Sequence, residues 1–163
     1  MKKKLVLLLL IALVAIQFFP IKKTELKTQA ISYFETFPTG SDLGLKFQSA
    51  CLPCHSDNSV AYPWYASVQP IGWWLQNHVK EGKQKLNFSS LHQKRAAVQK
   101  HKLEELVEMV REKEMPLKSY TFFGLHPEAK MTESERTQMI QWATKIIEFF
   151  ESSYPPDSLI LKR

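Results

Sequence analysis

The sequence predicts an all-α fold, in which one helical domain with long loops follows an N-terminal hydrophobic segment. In several segments apolar residues recur at spacings of three and four, which places them on one face of a helix. Only five glycines occur in 163 residues, and no long run alternates apolar with polar side chains. Both observations argue against a β-rich domain.

The first 23 residues have the pattern of an export signal. Three lysines, at positions 2–4, precede an apolar run over residues 5–19 that only Gln17 interrupts, and Lys22 and Lys23 follow. The run is at the lower limit of a spanning helix, about 17 to 25 residues. No small-x-small cleavage site is clear, and no cysteine follows the run to accept a lipid. We therefore expect a single N-terminal anchor in a bacterial inner membrane, with a cleaved signal peptide and a free periplasmic protein as the alternative.

The basic net charge of +6 belongs mostly to the flanks of this apolar run. After residue 23, basic and acidic residues nearly balance. Lysines before the run suit a cytoplasmic N-terminus. Nothing in this distribution favours a nucleic-acid partner, and the near-neutral remainder offers no strong charge by which to identify a protein partner.

Residues 24–39 are predicted to be a tether, 40–152 the folded domain and 153–163 a C-terminal tail. In the domain, Ser41 or Asp42 can cap a helix that starts near Leu43 and runs through the two cysteines. A second helix is expected over residues 71–81, ending at Gly82.

Two further helices have clearer signals. Apolar residues at helical spacing predict a helix over residues 90–113 that Pro116 stops; they are Leu103, Leu106, Val107 and Val110. The sequence Thr132-Glu-Ser-Glu135 has the form of a capping box and predicts the start of the last helix. Its buried face is expected to contain Met139, Trp142, Ala143, Ile146, Ile147 and Phe150.

The segment Cys51-Leu-Pro-Cys54-His55 carries the chemistry. Its two cysteines are the only ones in the chain, and their spacing, with a histidine directly after the second, is that of c-type haem attachment. Two thiols at this separation can add to the two vinyl groups of one haem, and the adjacent imidazole can bind its iron. The sequence therefore predicts one covalent haem c, held by Cys51 and Cys54 with His55 as proximal ligand. Attachment would require the cytochrome c maturation machinery.

Three other uses of the cysteines fit the sequence less well. A zinc site could draw on Cys51, Cys54, His78 and His126, but no second Cys-x-x-Cys is present. A thioredoxin-like dithiol expects an α/β pattern that is missing. A disulfide across two intervening residues would close too small a loop to add much stability.

The sixth iron position has two candidates. Met115 stands directly before Pro116, just past the end of a predicted helix, where a loop can hold a thioether in place. His78 is the rival, and the position can also be open. The aromatic residues near the cysteines are expected to pack around the haem; they are Tyr62, Trp64, Tyr65, Trp73 and Trp74. His92 and His101 are expected in solvent, and His126 in a loop with a local hydrogen bond.

Several segments between residues 40 and 150 together resemble the small exported haem-binding domain family of bacteria. They are Cys51-x-x-Cys54-His55, Tyr62-Pro-Trp-Tyr65, Trp73-Trp-Leu-x-x-His78, Glu81-Gly, Leu86-Asn-Phe-Ser89, Glu114-Met-Pro-Leu117, Tyr120 and His126-Pro-Glu-Ala129. The resemblance implies an arrangement like that of monohaem class I cytochromes c, with Met115 as the distal ligand. A glycine often stands two residues before that methionine in the family, where this chain has Lys113.

Two functions follow from these predictions. The first is a membrane-tethered periplasmic one-electron carrier, which makes no bonds and is not an enzyme. The second is a five-coordinate haem protein that acts as a peroxidase or senses a small ligand. The sequence does not identify the redox partners.

Overall fold

The structure is a computed structural model that describes residues 1–20, 32–57 and 63–161. Every regular element in these residues is a helix, which confirms the all-α prediction. Tyr62 and the first half of the predicted tether, residues 24–31, lie outside the described residues.

The described residues form α-helices of 4 to 21 residues. In chain order they are α1 (Lys2–Ile16), α2 (Ser32–Thr36), α3 (Ser41–Ala50), α4 (Leu52–His55), α5 (Ile71–Lys85), α6 (Phe88–Leu91), α7 (Ala96–Arg111), α8 (Lys118–Thr121) and α9 (Glu133–Ser153). Short 3₁₀ helices cover Trp64–Ser67, Phe122–Gly124, Pro127–Ala129 and Pro156–Leu159.

The main core lies where α9 packs against α7 and α3. The capping box that starts α9 is present, since the Thr132 hydroxyl accepts from the Glu135 N–H and the Glu135 carboxylate accepts from the Thr132 N–H. Five of the six apolar residues predicted for the inner face of α9 are buried, and Ile147 is partly buried. Local signals thus located this helix correctly.

The helix predicted through the cysteines is broken in two. It begins at Ser41 and ends at Ala50, and α4 starts after Cys51. Pro53 explains the break, because proline has no N–H for the carbonyl four residues earlier and its ring would clash with that carbonyl. The break places Cys51 between α3 and α4, whereas Cys54 lies within α4.

The helix over residues 71–81 continues past Gly82 to Lys85, so the predicted stop was wrong. Gly82 lies instead where α5 passes the cysteine segment. A Cβ atom at this position would be 2.9 Å from the Cys54 carbonyl oxygen and 3.4 Å from Cys54 Cβ. The missing side chain therefore permits close packing of α5 on α4.

We expect Gly82→Ala to destabilise the protein by about 1–3 kcal/mol, because the added methyl group meets backbone that cannot easily move. Gly44→Ala is the matched control, since its Cβ would be 3.0 Å from the Thr39 hydroxyl, which can rotate away. Helix propensity should make the control neutral or stabilising. Thermal unfolding of both variants checks this, and equal stability would contradict the role given to Gly82.

The helix predicted over residues 90–113 starts later, at Ala96. Before it, α6 forms a separate turn that the Asn87 side chain caps by accepting from the Ser89 N–H at 3.0 Å. The buried Gln99 side chain donates to the Lys94 carbonyl at 2.6 Å and so holds the connecting turn against α7. This contact is not visible in the apolar periodicity.

The edges of the domain differ from the predicted boundaries. Residues 32–37, placed in the tether, contribute to the core: Tyr33 is fully buried, and Phe34 stacks on Trp142 with ring centroids 5.7 Å apart. Within the predicted C-terminal tail, Pro156–Leu159 packs against α7 and α9.

The N-terminal helix α1 contains 15 residues, nearly all of them exposed. Its side chains from Leu5 to Val14 are almost all apolar. In the part of the chain that the structure describes, α1 included, we find no helix with the length and apolar character needed to cross a membrane.

Candidate haem site

A cavity of about 400 Å³ lies beside the cysteine segment and is lined mainly by apolar atoms. Cys51 and His55 lie on its wall, and Met115 lies on the wall contributed by the loop after α7. Four thioethers line this one space, and they belong to Met109, Met115, Met131 and Met139. The structure thus brings together three of the four predicted site residues around an apolar cavity.

The His55 ring is fixed by a backbone hydrogen bond. Its Nδ1 lies 2.9 Å from the Leu86 carbonyl oxygen, which can only accept, so Nδ1 carries the proton. Nε2 is therefore left with a free lone pair. Burial lowers the pKa of His55, so the neutral, metal-binding form dominates at neutral pH. Metal-ligating histidines usually donate their other ring N–H to a carbonyl or a carboxylate, which fixes the tautomer in this way.

The two cysteines are free thiols in different settings. Burial, with a smaller contribution from the neighbouring Cys54, raises the pKa of Cys51 to about 12. Burial also raises the pKa of Cys54, against the opposing charge of Lys83. Cys54 lines a second, larger cavity of about 950 Å³ rather than the one shared by Cys51 and His55. Protonated thiols of this kind are poor zinc ligands.

Four hydrogen bonds hold the loop around Met115, and two of them involve the backbone of Met115 itself. Glu114 and Met115 both donate their N–H groups to the Met109 carbonyl oxygen, at 3.0 and 3.2 Å. The Arg136 guanidinium on α9 donates to the Met115 carbonyl oxygen at 2.8 Å and to that of Val110 at 3.0 Å. The loop after α7 is therefore tied to α9, and the position of the thioether is set by both helices.

Lys113, which stands where the resembling family often has glycine, has a φ of 60°. This is the left-handed region, which costs an L-residue roughly 1–2 kcal/mol and glycine almost nothing. The turn therefore forms with a lysine in a backbone conformation that glycine adopts more easily, at a cost in strain.

We expect Lys113→Gly to be more stable to unfolding than Lys113→Ala by about 1 kcal/mol, because only glycine relieves the left-handed backbone. Both variants lose the exposed ion pair of Lys113 with Glu133, so that contribution cancels. Chemical denaturation of the two variants measures the difference. Equal stability, or a less stable glycine variant, would show that this turn stores no strain.

His78, the rival iron ligand, lines neither of these two cavities. Its Nδ1 donates to the Trp74 carbonyl at 2.9 Å, and its ring lies 4.1 Å from the ring of Trp74. His101 is partly buried and pairs with Glu104 and Glu105, whereas His92 is exposed. No group of three or more His, Cys, Asp or Glu side chains that could hold a metal ion occurs among the described residues.

His126 has more partners than the expected local hydrogen bond. Its Nδ1 pairs with a Glu128 carboxylate oxygen at 3.1 Å, so Nε2 is left to accept from the Tyr65 hydroxyl. Tyr120 stacks on the imidazole with centroids 4.0 Å apart. His126, Tyr120 and Glu128 line the larger cavity together with Cys54. Burial raises the pKa of the Tyr65 hydroxyl, which keeps it protonated as a donor.

In the sequence this cluster is visible only as separate motifs, because Tyr65 and His126 lie 61 positions apart and share no periodicity.

The tryptophans expected around the haem line neither of the two cavities beside the cysteines. Trp64, Trp73 and Trp74 are all exposed, because the inward stripe of α5 consists of Gly72, Leu75 and Val79. The expectation that these rings enclose the cofactor was wrong.

The neutral His55 imidazole lies beside a thiol on the wall of an apolar cavity that methionines also line. These groups suit haem iron and indicate that the protein belongs to the class of haem proteins. The sequence model of the Haem-binding domain family matches residues 11–145. The chain therefore belongs to the haem-binding domain family, and haem is its cofactor. Neither the curated proteins nor the solved structures contain a match to the chain.

Proposed function

We propose that the protein carries one c-type haem, bound covalently through Cys51 and Cys54, and acts as a one-electron carrier. His55 is the proximal ligand and Met115 the distal ligand. The observation that carries the proposal is that His55, held by the Leu86 carbonyl through Nδ1, and Met115 line one apolar cavity.

The haem iron supplies the chemistry, exchanging one electron between its ferric and ferrous states. His55 and Met115 would hold the iron from two separately anchored segments, so the chain itself would have little to rearrange on electron transfer. The Leu86 carbonyl orients the imidazole, and Arg136 fixes the backbone of Met115. Thioether ligation favours ferrous iron and raises the reduction potential. An apolar lining excludes water and acts in the same direction.

An electron carrier fits the cavity better than a peroxidase does. Peroxide chemistry requires a polar distal side with a base. Among the described residues that line the cavity, His55 is the only histidine. Two carboxylates also border it: Glu105 is engaged by Lys102 at 2.6 Å, and Glu108 is exposed on α7. The other wall residues include four thioethers that donate no proton.

The location we propose is the periplasmic face of a bacterial inner membrane, with α1 as the tether. Export delivers the domain to the compartment where c-type haem is attached. We further propose a class I cytochrome c arrangement, which the packing of α9 against α3, the helix that leads into the cysteine segment, supports.

The carrier and the five-coordinate alternative differ in their optical spectra. We expect the exported holoprotein to be low-spin in both oxidation states, with a thioether-to-ferric-iron band and no change on addition of carbon monoxide to the ferrous form. A high-spin ferrous spectrum that shifts with carbon monoxide would contradict six-coordination and favour the peroxidase or sensor.

A further inference from the structure

An exposed aromatic surface lies at the start of α5. Trp64 is 77% exposed, Trp74 47% and Trp73 40%, and Ile71 beside them is 46% exposed. We name these four residues the tryptophan face. Trp64 lies on the 3₁₀ helix that packs against α5, so the face spans two joined elements. Burial of so much aromatic surface on a partner would release considerable free energy.

The C-terminal end of α1 is hydrogen-bonded to this region. The Gln17 side chain donates to the Gln69 carbonyl at 3.1 Å and accepts from the Gln69 N–H at 2.9 Å. The indole N–H of Trp73 donates to the Phe19 carbonyl oxygen at 3.1 Å. Gln17, the one polar residue of the apolar run, is thus used to join α1 to the domain.

The length of α1 indicates where this junction would lie in a bilayer. At about 1.5 Å per residue, 15 residues reach about 22 Å, whereas the hydrocarbon core is about 30 Å thick. A helix shorter than the core draws its flanking residues toward the lipid. The domain surface attached to its end is therefore drawn in as well.

We propose that the tryptophan face is a lipid-docking surface, which seats the haem domain on the headgroup region of the bilayer that α1 enters. Indole rings favour this region because they combine an apolar body with a polar N–H. Since α5 packs on α4, which carries Cys54 and His55, docking would also fix the distance of the haem from the membrane. The inference rests on the proposed tether.

The test uses the full-length holoprotein with vesicles of phosphatidylcholine and phosphatidylglycerol brominated near the headgroup. Bromine quenches only tryptophans that it contacts, so we expect emission to fall in brominated vesicles relative to unbrominated ones. The triple variant Trp64→Phe, Trp73→Phe, Trp74→Phe keeps only the buried Trp142 and should show no such loss. Adding Phe149→Trp to that variant places an exposed indole on α9, and it should also escape quenching.

Co-flotation with the vesicles tests the tether separately from the docking surface. If the protein floats but its tryptophans are not quenched, the docking surface is overturned and the tether stands. If it does not float, both are overturned. Quenching of the Phe149→Trp probe would mean that the domain contacts lipid without a preferred face. If the protein forms dimers that the triple substitution dissociates, and its tryptophans are not quenched by the vesicles, then the tryptophan face contacts a second copy of the chain and not lipid.

Discussion

Replacing both Cys51 and Cys54 with alanine is expected to give a chain without covalent haem and without a stable fold. Without haem, the mainly apolar wall of a space of about 400 Å³ has no group to cover it. Apolar surface left in contact with water gives up the stabilisation that its burial would provide, and the net stability of a typical domain is only about 5–15 kcal/mol. Far-ultraviolet circular dichroism and a haem stain on a denaturing gel measure both effects.

Single substitutions provide the control. Cys51→Ala and Cys54→Ala each leave one thiol, so each should retain some haem through one thioether bond. The structure also distinguishes the two, since Cys51 lines the cavity with His55 and Cys54 lines the neighbouring one. Stable folding of the double variant would contradict the view that the cofactor completes the core.

Replacing Met115 with alanine is expected to leave haem attached while changing the iron. Loss of the thioether should lower the reduction potential, within the roughly 0.8 V that axial ligands span. It should also make the ferrous form bind carbon monoxide. Because Met115 is only partly buried, we expect the free energy of unfolding to fall by less than the roughly 2–5 kcal/mol typical of a core methionine replaced by alanine. Redox titration and carbon monoxide difference spectra measure the change at the iron.

Met109→Ala is the matched control, because it removes the same chemical group from the wall of the same cavity. We expect it to stay low-spin and insensitive to carbon monoxide. If Met109→Ala opens the iron and Met115→Ala does not, the distal ligand has been assigned to the wrong thioether. An unchanged spectrum in both variants would point to a ligand outside this pair.

The features that the sequence predicted well are those set by local chemistry. The capping box at Thr132 involves groups three residues apart and forms as expected. His55 and Met115 were proposed as iron ligands from their neighbours Cys54 and Pro116; both line one cavity in the structure, and their binding to iron stays a prediction.

The features it missed depend on contacts between distant segments. Gly82 was predicted to end its helix, but α5 continues through it. The glycine instead permits α5 to pack closely against Cys54. Trp73 and Trp74 lie close to the cysteines in sequence, but other residues form the buried face of α5, so both indoles are exposed. Tyr33 precedes any regular pattern and is nevertheless fully buried. No local spacing encodes such approaches, since each partner comes from another helix.

The most direct test of the central claim is the intact mass of the full-length protein after expression in a host that matures c-type cytochromes. Covalent attachment through Cys51 and Cys54 predicts a denatured polypeptide heavier by the mass of one haem. The double alanine variant should have the mass of the polypeptide alone. A wild-type chain that loses all its haem on denaturation would contradict the account, leaving a haem-binding protein without thioether bonds.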